Sequence, residues 1–231
     1  MISDAALVIA AGGSGSRYGA GNKLFAVLAG LPVAAHSVRR LGPLFRPECR
    51  IMAVPEAEMP RFADMLDACA PETPFRLVAG GATRAESVRN ALAAIPAGVR
   101  YAAIHDAARP LATPELLELV LAAARETGGA VPGRAVIDTL KRCGEDGLVA
   151  ETVSREALFA VETPQCFDLA LLLDAYRRCA GAPTDDAGVM EAAGHPVRIV
   201  PDPGFNIKLT RPEDLGLLAV LTKDGPGHIL M

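Results

Sequence analysis

The chain has 231 residues, is 51% hydrophobic and 22% charged, and carries a net charge of −4. That apolar share excludes a disordered chain and supplies one sizeable core. The acidic balance, with no Trp, 3 Tyr and 7 Phe, excludes a general nucleic-acid binder and an aromatic platform for single strands.

Taken in chain order, Ala5–Ala11 is a short apolar run that meets glycines at once, the pattern of a buried strand and a turn. Pro32–Leu44 reads as a helix, Arg50–Val54 as a buried strand, Pro55–Ala70 as a helix and Phe75–Val78 as a strand. Thr83–Ile95 places Ala85, Val88, Ala91, Leu92 and Ile95 on one helical face, with Thr83 and Glu86 spaced as a capping box. Val99–Ile104 is a strand that ends at His105–Asp106. Thr113–Thr127 is a helix with Pro114 in its first turn, and Ala130–Val136 is another strand. From Asp138 to Arg155 the pattern turns polar and turn-broken around Gly144 and Gly147, as in a hairpin arm leaving the body. Asp168–Cys179 is helical, Val197–Pro201 is a strand, and Arg211–Leu221 is a last helix capped by Thr210 and Glu213; the tail 225–231 is expected to be loose.

Strands that alternate with helices predict parallel β-α-β units in a three-layer αβα, Rossmann-like sheet, with ligands beyond the carboxyl ends of the strands. One domain over residues 1–231 is expected, with 138–155 as a projecting β-arm. Ile2–Ala11 lacks a basic lead and no apolar run nears the ~18–20 residues of a membrane span, so no signal peptide and no membrane partner are expected. Cys49, Cys69, Cys143, Cys166 and Cys179 are scattered without C-x-x-C spacing, as in reduced thiols of a cytoplasmic protein.

The loop Ala10-Ala11-Gly12-Gly13-Ser14-Gly15-Ser16-Arg17 carries the main chemical signal. Glycines let backbone N–H groups approach phosphate oxygens without a Cβ between. No carboxylate lies between Asp4 and Glu48, while Arg17, Lys23, Arg39, Arg40 and Arg46 do, which favours a bound anion. The dinucleotide fingerprint fails, because three residues separate Gly15 from Gly19 and no acidic residue follows about 20 positions on. The ATPase loop fails too, because Lys23 sits between Asn22 and Leu24.

This loop resembles that of nucleotidyltransferases that activate sugars and polyols. Gly80-Gly81-Ala82-Thr83-Arg84-Ala85-Glu86-Ser87-Val88, His105-Asp106-Ala107-Ala108-Arg109-Pro110, Asp138-Thr139-Leu140-Lys141, Val153-Ser154-Arg155, Thr163-Pro164-Gln165, Thr184-Asp185-Asp186 and Asn206–Asp214 follow in order. Together they are similar to the 2-C-methyl-D-erythritol 4-phosphate cytidylyltransferase family of non-mevalonate isoprenoid synthesis. Ribitol 5-phosphate cytidylyltransferases share the loop and a similar H-D-A-x-R-P segment, so that substrate stays open. The chain departs from the family at Gly12-Gly13, one residue longer than A-A-G-x-G-x-R. It also departs at Asn22 for a common proline, Ala82 for a common acid, Asp186 for glutamate and Phe205 for aspartate.

The resemblance implies that a polyol phosphate oxygen attacks the α-phosphorus of CTP and releases pyrophosphate. In it Arg17 and Lys23 stabilise the transition state, and Arg155 and Lys208 position the substrate phosphate. Ala11, Gly12, Gly13, Gly15, Gly81, Ala82 and Ser87 hold the nucleotide; Asp106, Arg109, Thr139, Thr163 and Thr184 contact the substrates. Mg²⁺ is the implied cofactor, with Asp106 as its one named ligand. His105 reads as structural. The resemblance also implies that the arm clasps a second subunit and completes its site, giving a homodimer.

Overall fold

The structure, a computed structural model, describes residues 1–12, 22–179 and 183–223. β1 (Ala5–Ala10) is buried almost throughout and is followed, past the short hairpin of β2 (Val27–Leu28) and β3 (Leu31–Pro32), by α1 (Val33–Leu41). β4 (Arg50–Val54), α2 (Met59–Cys69), β5 (Arg76–Ala79), α3 (Arg84–Leu92) and β6 (Tyr101–Asp106) complete a run of strands alternating with helices. α4 (Pro114–Thr127) ends at Gly128, whose φ of 85° lies in the left-handed region, and β7 (Gly129–Ala135) leaves directly from that turn.

β8 (Leu140–Cys143) and β9 (Val149–Val153) pair antiparallel in a separate two-stranded sheet, which is the expected arm. β10 (Phe159–Val161), β11 (Gln165–Asp168), α5 (Leu169–Arg178), α6 (Asp186–Ala192), β12 (Arg198–Pro201) and α7 (Asp214–Lys223) return the chain to the body. Among the described residues the main sheet runs β10-β7-β11-β6-β1-β4-β5, with β12 also on β7. β6, β1, β4 and β5 are parallel neighbours, whereas β11 lies antiparallel between β6 and β7.

The period of two along the strands divides the core cleanly. Leu7, Ile9, Met52, Val54 and Ala103 face a cluster with side chains of α1, α2, α4 and α7. Val8, Ile51, Ala53, Ala102 and Ile104 face the opposite cluster with α3, α5 and α6. The three-layer expectation therefore holds, and the parallel half brings the carboxyl ends of β1, β4, β5 and β6 to one edge.

Two readings of the sequence change. Thr210 is not a helix cap: α7 starts at Asp214, whose Oδ2 accepts from the N–H groups of Thr210 and Arg211, both at 2.7 Å. A carboxylate four residues on thus does the work expected of the hydroxyl. β10, β11 and α6 carry no clear sequence signal because each is short. The glycine loop beyond Gly12 and the tail 225–231 lie outside the described residues.

The capping box at Thr83 and Glu86 is present in full, and it fixes where α3 begins. Thr83→Ala should cost about 1 kcal/mol of unfolding free energy, read from the urea midpoint at constant m-value, with Thr83→Ser close to the parent protein.

Candidate active site

The loops that follow β1, β5 and β6 are stitched together by the backbone. Ala11 N–H donates to the Ala53 carbonyl at 2.8 Å, Gly80 N–H to Val54 at 2.8 Å, and Ala107 N–H to Ala10 at 3.1 Å. Gly12 passes so close to α3 that a Cβ on it would lie 2.7 Å from Ser87 Oγ. A Cβ on Gly81 would lie 2.3 Å from Glu86 Cβ, so this turn also needs glycine. Ser87 is fully buried; its hydroxyl donates to the Thr83 carbonyl at 2.9 Å and accepts from Gly81 N–H at 3.0 Å. Ala82 N–H donates to Glu86 Oε2 at 2.7 Å. With both N–H groups of the turn engaged, a base bound here would be read through acceptors.

Asp106 ends β6 beside a cavity of about 250 Å³ that Arg84, Arg109, Thr163, Thr184 and Lys208 also line. Its Oδ1 accepts from Arg84 Nε at 3.1 Å and its Oδ2 from Lys208 Nζ at 2.7 Å, while its N–H donates to Thr163 Oγ1 at 3.0 Å. Burial alone would raise this carboxyl, but Arg84 and Lys208 outweigh it and hold it well below the usual carboxylate range. Arg84 NH1 also lies 2.8 Å from Asp186 Oδ2. Burial disfavours the Arg84 charge, yet Asp186 and Asp106 together raise its pKa further. Arg109 NH1 donates to the Asn206 carbonyl at 2.6 Å, and Asn206 Nδ2 donates to the Thr163 carbonyl at 2.7 Å. The segment carrying Lys208 is thereby tied to the end of β6.

Lys23 reaches the same segment, donating to the Leu209 carbonyl at 2.7 Å, one residue beyond Lys208. Asn22 sets it there: Asn22 Oδ1 accepts from Leu24 N–H at 3.0 Å and its amide donates to Glu58. This side-chain cap occupies the position where the resemblance led one to expect proline.

The predicted residues thus divide into three groups. Asp106, Arg109, Thr163, Thr184 and Lys208 share the cavity, with Lys23 at the Lys208 segment. Ala11, Gly12, Gly81, Ala82 and Ser87 form the neighbouring turn against α3. Thr139 and Arg155 are exposed on the arm, away from the cavity lining, with Arg155 donating to the Ile137 carbonyl. Gly13, Gly15 and Arg17 lie outside the described residues.

Sequence reasoning passed over Arg84 and Glu162, both of which line the cavity. Arg84 stands inside a quoted segment, but its charge gains meaning only beside Asp106 and Asp186. His105, read from the sequence as structural, does not line the cavity. It is fully buried, with Nδ1 3.0 Å from Thr163 Oγ1 and Nε2 3.2 Å from both Ser37 Oγ and the Arg109 carbonyl. Among the described residues no group of three or more His, Cys, Asp or Glu side chains could hold a metal ion. Asp106 shares the cavity lining with Glu162 and Asp185, yet the three make no cluster that could hold an ion, which fits a metal held chiefly by phosphate oxygens rather than by a protein cage.

The family model for 2-C-methyl-D-erythritol 4-phosphate cytidylyltransferase matches residues 5–223. The enzyme of that name from Bacillus mycoides is 41% identical over 213 residues, covering 90% of this chain and 93% of its own. That from Rhodopirellula baltica is 38% identical over 231 residues, covering 94% of each chain. The crystal structure of the Thermus thermophilus enzyme superposes with a TM-score of 0.78 at 32% identity, covering 94% of this chain and 98% of that one. Among the described residues no helix is long and apolar enough to cross a membrane.

Two buried groups make opposite demands on pH. Burial lowers His105 from 6.5 to about 4, so the unfolded chain binds the extra proton there, and acidification through this range destabilises the fold. Burial, then the neighbouring Asp202 carboxylate, raises Glu162 from 4.5 to about 7, so here the folded chain holds the extra proton and rising pH destabilises it. His36, lowered chiefly by burial, acts in the sense of His105. Between about pH 5 and 6.5 the His105 and Glu162 effects oppose each other. Glu162→Gln should remove one side and uncover a loss of about 1.4 kcal/mol per pH unit on acidification, measured by urea unfolding across that range. A pH profile identical to the parent's would refute the assignment.

Proposed function

We infer the reaction from one premise: the chain belongs to the 2-C-methyl-D-erythritol 4-phosphate cytidylyltransferase family. It is a nucleotidyltransferase, and its reaction joins CTP to 2-C-methyl-D-erythritol 4-phosphate, giving 4-diphosphocytidyl-2-C-methyl-D-erythritol and pyrophosphate. The observation that carries this reading onto the chain's own geometry is the convergence of Lys208, Arg109 and Arg84 on the cavity at the carboxyl end of β6, with Lys23 bonded to the neighbouring Leu209 carbonyl.

A phosphate monoester oxygen attacks the α-phosphorus; the bond from that phosphorus to the bridging oxygen breaks, and pyrophosphate leaves with the electron pair. The nucleophile is already anionic near neutral pH, its second pKa being about 6, so no strong general base is required. This agrees with a site rich in fixed cations, where His105 is buried and held neutral at working pH. Catalysis then rests on positioning and on stabilising charge that develops on the triphosphate.

In this reading the glycine loop, Ala11 to Gly15, cradles the triphosphate, and Arg17 with Lys23 stabilises charge at the α-phosphate. Gly81, Ala82 and Ser87 shape the base pocket, where acceptors would meet the 4-amino group of cytosine. Lys208 exchanges its partner from Asp106 to the polyol phosphate, a change open to a half-exposed ammonium on a flexible stem. Arg109, Thr163 and Thr184 line the space for the polyol. Mg²⁺, held by Asp106 and the phosphate oxygens, would neutralise and orient the triphosphate.

Thr139 and Arg155 belong to a homodimer in this reading, each arm serving the partner's site. Their exposure outside the cavity lining supports it, as does the apolar surface of Ile137, Leu148 and Val149 on an arm too small to be stable alone.

Pyrophosphate release should follow addition of CTP, Mg²⁺ and methylerythritol phosphate. Lys23→Ala and Arg17→Ala should each lower kcat by about 10²–10³-fold with unchanged circular dichroism. Turnover with ribitol 5-phosphate in place of methylerythritol phosphate would overturn the substrate assignment.

A further inference from the structure

Arg84 is placed unlike the other cations of the cavity. Arg109 donates to backbone carbonyls, and Lys208 makes one contact from a side chain that is 38% exposed. The Arg84 guanidinium instead lies between two carboxylates on two of its edges, with Nε 3.1 Å from Asp106 Oδ1 and NH1 2.8 Å from Asp186 Oδ2. Asp186 has no exposed side-chain surface, and its second oxygen accepts from the Tyr176 hydroxyl. Tyr176 is itself packed in the core cluster of α5 and α6. A rigid chain of contacts therefore runs from the core on one face of the sheet, through Asp186 and Arg84, to the carboxylate at the end of β6.

The arrangement has a directional logic. A planar guanidinium keeps its nitrogens at fixed angles, so the close ion pair that holds one edge against Asp186 sets the direction of the Nε–H that donates to Asp106. Asp186 cannot follow a substrate, because it is buried and the Tyr176 hydroxyl holds its other oxygen. Lys208 can leave Asp106 for an incoming phosphate, after which Arg84 is the remaining cation in contact with the Asp106 carboxylate. That residual contact keeps Oδ1 engaged and turns Oδ2 toward the cavity.

We propose that Arg84, anchored through Asp186 and Tyr176, is a positioning residue for the reaction: it holds the Asp106 carboxylate in its working orientation after Lys208 has moved to substrate. The proposal rests on the cytidylyltransfer reading. The parent protein's turnover of CTP with methylerythritol phosphate, run in the same assay, tests that reading separately.

The test is Arg84→Ala, with guanidinium ion as the probe. In the cytidylyltransfer reading the nucleotide is held by the loop after β1 and by Gly81, Ala82 and Ser87, whereas the Arg84 side chain reaches into the cavity and contacts Asp106 and Asp186. The substitution should therefore lower kcat at least tenfold while the KM for CTP moves less than about threefold, a kcat loss of the kind that misplaced reacting groups produce. Millimolar guanidinium should restore part of the lost kcat in the variant and leave the parent protein unchanged, since the ion can reoccupy the vacated place between the two carboxylates. A purely structural role would not give that rescue. Asp186→Asn, which keeps the shape but removes the anchor's charge, should show the same split in weaker form. If Arg84→Ala does not fold, Arg84→Lys carries the test: one ammonium cannot reach both carboxylates, so kcat should fall with KM for CTP retained. Three results would overturn the proposal: a parent-like kcat in a folded Arg84 variant, a rise in KM for the polyol phosphate at constant kcat, or a kcat loss that guanidinium leaves untouched.

Discussion

A carboxylate at the end of a buried strand is stable as an ion only if cations are brought to it, and Asp106 sets this requirement for the whole site. Arg84 comes from the start of α3, Lys208 from the segment before α7, and Arg109 from the turn that follows β6. Those elements lie far apart in the chain. With Arg84 and Lys208 paired to that carboxylate and Arg109 tied to the Asn206 carbonyl, the turn after β5, the β6 end and the 202–210 segment are held as one assembly. The parallel register of β1 and β6 does the complementary work, pairing Ala10 with Asp106 so that the glycine loop opens beside the same point. Satisfying one buried charge and gathering cations for an anionic substrate are thus one structural solution.

Much of this was legible in the residues. β1, β4 and β6 are continuous apolar runs because both of their faces are covered, and their buried strands fall where those runs lie. The caps of α3 and α4 follow from Thr83 and Thr113, each at the required spacing from the N–H it accepts. Asp106, Arg109, Thr163, Thr184 and Lys208, named through resemblance, line one cavity at the β6 end, and Lys23 bonds to the segment that carries Lys208.

What stayed hidden depends on distance in space. β11 is four residues without alternation, and its burial comes from insertion between β6 and β7, which no local pattern announces. Arg84 looks like an ordinary solvated charge in the first turn of a helix until Asp106 and Asp186 are beside it. Glu162 reads as a surface acid after an exposed strand, yet it is 2% exposed and paired with Arg134. Thr210 misled for the opposite reason: its spacing to Glu213 satisfied a local rule, and Asp214 satisfied the same backbone groups better. The interior of the glycine loop, where the extra residue lies, is outside the described residues.

The arm is not a loose appendage on this body. Val136 N–H donates to the Leu158 carbonyl at 3.0 Å, so the β7–β10 ladder continues past the sheet to the foot of β8 and β9. The arm is therefore a cantilever whose clamp is built into the main sheet. β8 and β9 are four and five residues long, so at about 3.3 Å per residue the ribbon projects on the order of 15 Å, and tilting the clamp by about 5° would sweep its tip through roughly 1 Å. Small changes in how β7 packs on α4 and β12 are amplified toward the turn at Gly144 and Gly147, whereas Thr139 and Arg155 stand at the foot of the ribbon, where their aim follows the sheet directly.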